Sequence, residues 1–337
     1  MNTKRWIALV AAAVLLFFSL GLNTIMAVFT TDFFSSFESA FDVTESTVYE
    51  TPIENGAMDN RIALVSVEGT ILDVGSGSLW EEVQYNHQGF MAQLDSILND
   101  DTVKGVVLEV NSPGGGVIES AEIYEKLVQI KEQREIPIYV SMGTYAASGG
   151  YYIAAPADKI FAQKETITGS IGVIMQAINY EELAEKVGIK FETIKSGQHK
   201  DMLGGSRAST EEEKAMLQEI IDESYEDFVD VIEQGRGMTE AEVKAVADGR
   251  ILGGTQAVRA GLVDDIGKLD DTIAALRADY GLEDAQLFEY TTTNDSLGSL
   301  LGVKISSLFG PSQEEQLVQK ILSTSNSPRM MYLYGEY

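Results

Sequence analysis

Four short apolar runs constrain the architecture of this chain: Ile62 to Val67, Gly105 to Val110, Ile138 to Met142 and Lys159 to Ala162. Each reads as a buried strand, because a short continuous apolar run bounded by turn signals has no polar side to give to water. Stretches of helical periodicity separate them. Phe90 to Leu98 has helical apolar spacing. Ile118 to Gln133 carries a stripe of Ala121, Ile123, Tyr124, Leu127, Val128 and Ile130, and Pro137 stops it. Ser148 to Ala155 reads as a short helix, Tyr180 to Val187 as another, and Lys190 to Ile194 as a returning strand. Strands alternating with helices make βαβ units, so the fold class is α/β with a largely parallel sheet. Such sheets present their working surface at the carboxyl ends of strands.

Beyond this region the chain is helical. Thr210 with Glu213, and Thr239 with Glu242, each match a capping box. The helix Glu211 to Glu233 is expected to bury Met216, Ile220, Tyr225, Phe228 and Ile232. Another short helix starts at Gly253 to Ala257, and the body ends near Glu289. The expected division is a membrane anchor over 1–29, a stalk over 30–60, a body over 61–290 and a tail over 291–337.

Composition removes several classes of function. A net charge of −28 repels phosphate backbones and speaks against nucleic acid as a partner. With no cysteine and only His87 and His199, thiol catalysis, disulfides and multi-histidine metal sites are excluded. No metal, nucleotide or other cofactor is expected. Lys4 and Arg5 precede an apolar run from Trp6 to Phe29, long enough for a spanning helix with the N-terminus inside and the body outside. A cleavable signal peptide is the alternative.

Chemistry concentrates where glycines follow strands. Ser148 lies in Gly143-Thr144-Tyr145-Ala146-Ala147-Ser148-Gly149-Gly150-Tyr151-Tyr152, at the expected start of a helix. A serine there is either a nucleophile needing a base or a simple helix cap. Asn111-Ser112-Pro113-Gly114-Gly115-Gly116 follows a strand, and its amides can form an oxyanion hole, a phosphate loop or a tight turn. The Walker and Rossmann glycine patterns are both unmatched. Lys200, in Ser196-Gly197-Gln198-His199-Lys200-Asp201, is either a base whose amine is held neutral by burial or a surface lysine paired with Asp201. Were this a strand, only one of His199 and Lys200 would face Ser148. His87 sits in a polar stretch and reads as a surface residue. Ser170, in Thr168-Gly169-Ser170-Ile171-Gly172-Val173, is either a hydroxyl that holds the lysine amine or part of a plain loop.

The glycine turn, Ala-Ala-Ser-Gly-Gly-Tyr-Tyr, Thr-Gly-Ser-Ile-Gly-Val and Ser-Gly-x-x-Lys-Asp occur in the order seen in the bacterial signal peptide peptidases SppA, which this chain resembles over 60–280. The resemblance implies a ClpP/crotonase-like spiral of repeated ββα units and a Ser-Lys dyad. Ser148 then corresponds to the nucleophile, Lys200 to the general base and Ser170 to the hydroxyl that orients it. Backbone N–H groups near Gly115 and Gly149 correspond to the oxyanion hole. It also implies cleavage of remnant signal peptides at the membrane. The short form is expected to build a homo-oligomeric ring in which Ser148 and Lys200 of one site come from adjacent subunits.

The tail adds a separate expectation. Residues 325–337 contain Ser and Pro and are then rich in Met, Tyr and Leu, much like the apolar core of a leftover signal peptide. The tail is therefore expected to occupy the substrate groove, to be trimmed by Ser148, or both. A crotonase-like enzyme on acyl thioesters and a non-catalytic membrane scaffold are the competing readings.

Overall fold

The computed structural model describes residues 48–73, 85–292 and 329–335. The expected anchor over 1–29, most of the stalk and most of the tail over 291–337 lie outside the described residues. Among the described residues, no helix is long and apolar enough to cross a membrane.

In chain order the elements are β1 (Val48–Glu54), β2 (Ala57–Glu68), α1 (His87–Asn99), β3 (Val103–Ser112), β4 (Gly114–Gly116), α2 (Val117–Arg134) and β5 (Ile138–Ala147). There follow α3 (Gly149–Ala154), β6 (Lys159–Ala162), β7 (Ile167–Gly169), α4 (Glu181–Lys186), α5 (Glu211–Arg236) and α6 (Glu240–Lys244). The last are β8 (Ile251–Gly253), α7 (Gly254–Arg259), β9 (Asp265–Ile266), α8 (Leu269–Tyr280), β10 (Ala285–Thr292) and β11 (Met331–Leu333).

The main sheet runs β1-β10-β2-β3-β5-β6-β9, with β7 joining β5 and β8 joining β7. From β10 to β9 every pair is parallel; only β1 with β10 and β7 with β8 are antiparallel. Period-two alternation divides the side chains between two cores. Ala63, Val65 and Val67 of β2, with Val106, Leu108 and Val110 of β3, join Phe90, Leu94, Ile123, Leu127 and Phe228 on one face. Ile62, Leu64 and Val107 meet Ile273 and Leu276 of α8 on the other. Burial on both faces is why these strands read as continuous apolar runs.

Three expectations meet a different outcome. Lys190 to Ile194 forms no strand and pairs with no sheet edge; Ile194 is 96% exposed. An apolar run that meets no sheet edge leaves its N–H and C=O groups to water, and no ladder forms. Both capping boxes are present at Thr210 and Thr239, yet the buried apolar residues of α5 all lie in its second half, at Phe228, Val229, Val231 and Ile232. Met216 and Ile220, in its first half, are exposed, because no apolar layer covers that face among the described residues. Finally, β1 lies inside the stretch read as stalk. It pairs with β10, and its Glu50 meets the buried Arg61 at 2.5 Å.

Candidate active site

Ser148 occupies the turn between β5 and α3, at the carboxyl end of a central strand. Its backbone stands at φ 54°, ψ −118°, a conformation that costs a side-chain-bearing residue about 1–3 kcal/mol. Surrounding bonds hold it there. Its N–H donates to Gly169 at 2.8 Å, and its carbonyl accepts from Tyr151 and Tyr152, each at 2.9 Å. The side chain makes no capping bond, which sets aside the reading of Ser148 as a plain cap. Its hydroxyl is buried and without a hydrogen-bond partner among the described residues. A strained strand-to-helix turn that spends its geometry on an unbonded hydroxyl is characteristic of functional sites rather than stable cores.

The glycine strand β4 runs beside it. Ile71 takes the N–H of Gly116 at 2.8 Å and gives its own to Gly114 at 2.9 Å. Gly115 is therefore the residue whose N–H and C=O face the opposite edge, and β11 pairs there in antiparallel register with Tyr332 against Gly115. Ile174 closes the far side of the segment, exchanging bonds with Met331 at 2.9 and 3.0 Å, and Tyr334 N–H reaches Pro113 at 2.8 Å. Residues 329–335 thus lie as an extended peptide in a groove bonded along both edges. A β-carbon on Gly149 would fall 3.1 Å from both Gly115 N and Tyr332 O. On Gly114, at φ +100°, it would fall 2.0 Å from Tyr332 O and 2.6 Å from Gly149 N. The amides of Gly115 and Gly149 and the Tyr332 carbonyl share one small space that only glycine leaves open.

Beside that carbonyl a deep pocket takes the Tyr332 side chain, which is 1% exposed. Tyr152 stacks on it with centroids 4.9 Å apart, Phe228 tilts against it at 4.7 Å, and its hydroxyl donates to the Ser224 carbonyl at 2.8 Å. Burial first, then the neighbouring Tyr152, raises the pKa of this phenol. The sequence places Phe228 on a buried helix face but does not show that it meets Tyr152 around one pocket. Tyr152 carried a signal, since it lies one helical turn beyond Ser148; Ser224 and Phe228 come from the distant α5.

Ser170 immediately follows Gly169, the residue bonded to Ser148, so the chain brings the two serines together. Ser170 has φ 51° and donates its N–H to Arg250 at 2.7 Å. Lys200 is different. It is exposed, and within the chain no bond links it to Ser148. Residues 198–203 form a turn instead of a strand, so alternation does not separate the faces of His199 and Lys200. An ionic clamp fixes this turn. Asp201 accepts from Lys195 at 2.7 Å and Arg207 at 2.5 Å, and Arg207 reaches Glu213 at 2.6 and 2.8 Å. Arg207, then the Thr210 amide, lowers the Glu213 carboxyl to about 2; Arg207 and Lys195 hold Asp201 below its usual range. His199 stands 3.3 Å from Glu213. His87 is not a surface residue: it is 2% exposed, between the Tyr85 hydroxyl at 2.8 Å and Glu122 at 2.7 Å, because α1 turns it against α2.

Among the described residues no cluster of His, Asp and Glu could hold a metal ion. Residues 130–283 match Peptidase family S49. The chain is 43% identical over 354 aligned positions to a protein of Enterococcus faecium with the provisional name signal peptide peptidase SppA, and the match spans 99% of each. Protease 4 of Haemophilus influenzae is 32% identical over 302 positions, 84% of this chain and 48% of that one. The chloroplastic serine protease SPPA of Arabidopsis thaliana is 29% identical over 248 positions, 72% of this chain and 35% of the plant protein.

Proposed function

Because this chain belongs to peptidase family S49, among the signal peptide peptidases SppA, and is a serine peptidase, we propose that Ser148 is its nucleophile and Lys200 its general base. Ser148 Oγ would attack a peptide carbonyl and pass its proton to the neutral Lys200 amine. The amides of Gly115 and Gly149 would receive the developing oxyanion, at about 3 kcal/mol of barrier per donor. The proton then goes to the leaving amine, and water releases the acyl group from Ser148. Ser170 would orient the lysine. The exposed position of Lys200 favours a site completed by an adjacent subunit. So do the exposed apolar residues Ile178, Leu183, Val187, Ile189 and Ile194 nearby in the chain, which suit a contact between copies.

The substrate class we propose is the extended apolar peptide, including remnant signal peptides. The observation that carries it is the segment 329–335, an extended stretch of this chain paired with β4 beside the strained Ser148. We read that segment as a substrate-like occupant of the groove and as a site of self-trimming. The apolar run over 6–29 would anchor the body outside the membrane. The repeated strands and helices would complete a ClpP/crotonase-like spiral. A fluorophosphonate probe tests the assignment: Ser148 should be labelled in the wild type and labelling should vanish in Ser148→Ala. Equal labelling of both proteins would remove Ser148 from the mechanism.

A further inference from the structure

Glu119 stands where the occupied groove begins. It lies in the first turn of α2, where a carboxylate is favoured by the partial positive charge of the helix end. Its side chain is only 12% exposed. It folds back over Gly116, so that a β-carbon on that glycine would fall 1.8 Å from Oε2. Oε1 accepts the backbone N–H of Asp73 at 3.2 Å, which anchors the carboxylate. The same oxygen lies 3.6 Å from Nη1 of Arg329. Arg329 is three residues ahead of Tyr332, whose carbonyl shares the space of the Gly115 and Gly149 amides. Burial first, and then the charges of Glu119, Asp73 and Glu122, hold the Tyr85 phenol above its usual range.

We infer that Glu119 determines specificity by selecting a cationic side chain, Arg or Lys, three residues upstream of the residue whose carbonyl is attacked. This rests on the peptidase reading above. An apolar side chain there would leave a largely desolvated carboxylate without its counter-charge, and an acidic one would repel it. In an extended strand three residues span about 10 Å, so this selection is made well away from the tyrosine pocket. The substrate class narrows to peptides that carry a basic residue and then an apolar or aromatic stretch.

Internally quenched peptides Xaa-Met-Met-Tyr-Leu-Tyr, with Xaa as Arg, Lys, Leu or Glu, test this on the full-length protein. At low salt the wild type should prefer Arg over Leu by about threefold in kcat/KM, the size a half-exposed ion pair supplies, with Glu lowest. That spread should shrink toward unity at about 1 M salt. In Glu119→Gln the Arg-to-Leu ratio should fall to about one. An unchanged ratio in Glu119→Gln, or a wild-type ratio indifferent to salt, overturns the inference; the salt series decides alone if the glutamine variant does not fold. Binding of the same peptides to Ser148→Ala, read by fluorescence anisotropy, should show the same preference. A wild type that cuts none of them sinks the peptidase reading, while the binding ratios still decide the role of Glu119.

Discussion

The N–H of Ser148 donates to the carbonyl of Gly169 across 2.8 Å, and this bond joins the strained turn to the strand that leads into Ser170. Two serines from separate motifs are thereby held on neighbouring backbones. Because φ 54°, ψ −118° suits glycine better than serine, Ser148→Gly should relieve strain. The variant should be about 1 kcal/mol more stable in denaturant titration, after the entropy cost of a glycine, and should lose fluorophosphonate labelling. A destabilised variant would show that the turn is not under strain.

Lys200 and Ser148 should complement each other between chains. Ser148→Ala and Lys200→Ala are each expected to lower peptide turnover by at least about a thousandfold, whereas His199→Ala should cost less than about tenfold. Co-assembled in equal amounts, the two inactive proteins should regain about a quarter of wild-type activity, since one pairing in four joins an intact serine to an intact lysine. No recovery in the mixture would place both groups in one chain. Loss of turnover in His199→Ala alone would give the base role to histidine.

The strands and the helix starts at Thr210 and Thr239 were legible because burial on both faces and capping chemistry are local properties. Ile62 to Val67 and Lys159 to Ala162 both lie within observed strands. Lys190 to Ile194 shows where that reading ends: the same composition forms a strand only if a neighbouring edge accepts it. Met216 and Ile220 fail for a similar reason, since helical spacing marks an apolar face without saying what covers it. The pocket around Tyr332 was illegible because α3 and α5 meet there across a long sequence separation.

Two changes probe how the segment 329–335 is held. Tyr332→Phe removes the bond to the Ser224 carbonyl, worth about 1 kcal/mol. In the Ser148→Ala background, which keeps the tail whole, protection of backbone amides at 331–334 should fall about fivefold in hydrogen exchange. Gly114→Ala places a methyl 2.0 Å from the Tyr332 carbonyl at φ +100°, and protection there should be lost altogether. Retained protection in the alanine variant would contradict the pairing with β4.

Self-trimming has its own readout. Intact-mass spectrometry should show a shortened C-terminus in purified wild type, with the cut after Tyr332, and a full-length one in Ser148→Ala. Identical full-length termini in both proteins would defeat the trimming proposal.

Acid should loosen the turn that carries Lys200. The Glu213 carboxyl, lowered to about 2 in the folded protein by Arg207, stabilises the fold at pH values above its ordinary unfolded value near 4.3. That contribution is lost as pH falls from about 4.3 to about 2, and Asp201 acts in the same direction. Thermal unfolding of the wild type should weaken across this window, and Glu213→Gln should flatten the acid limb while lowering stability at neutral pH. Parallel acid limbs in the two proteins would rule out this linkage.

The strand Met331–Leu333 is covalently tethered to the body whose groove it fills. Dilution therefore cannot lower its local concentration. Any free peptide meets a groove available only for the fraction of time the tether is undocked, and its apparent dissociation constant rises by the inverse of that fraction. Shortening the chain before Arg329 would lift this tax on every competitor at once, so weak-binding peptides would gain as large a factor as strong ones.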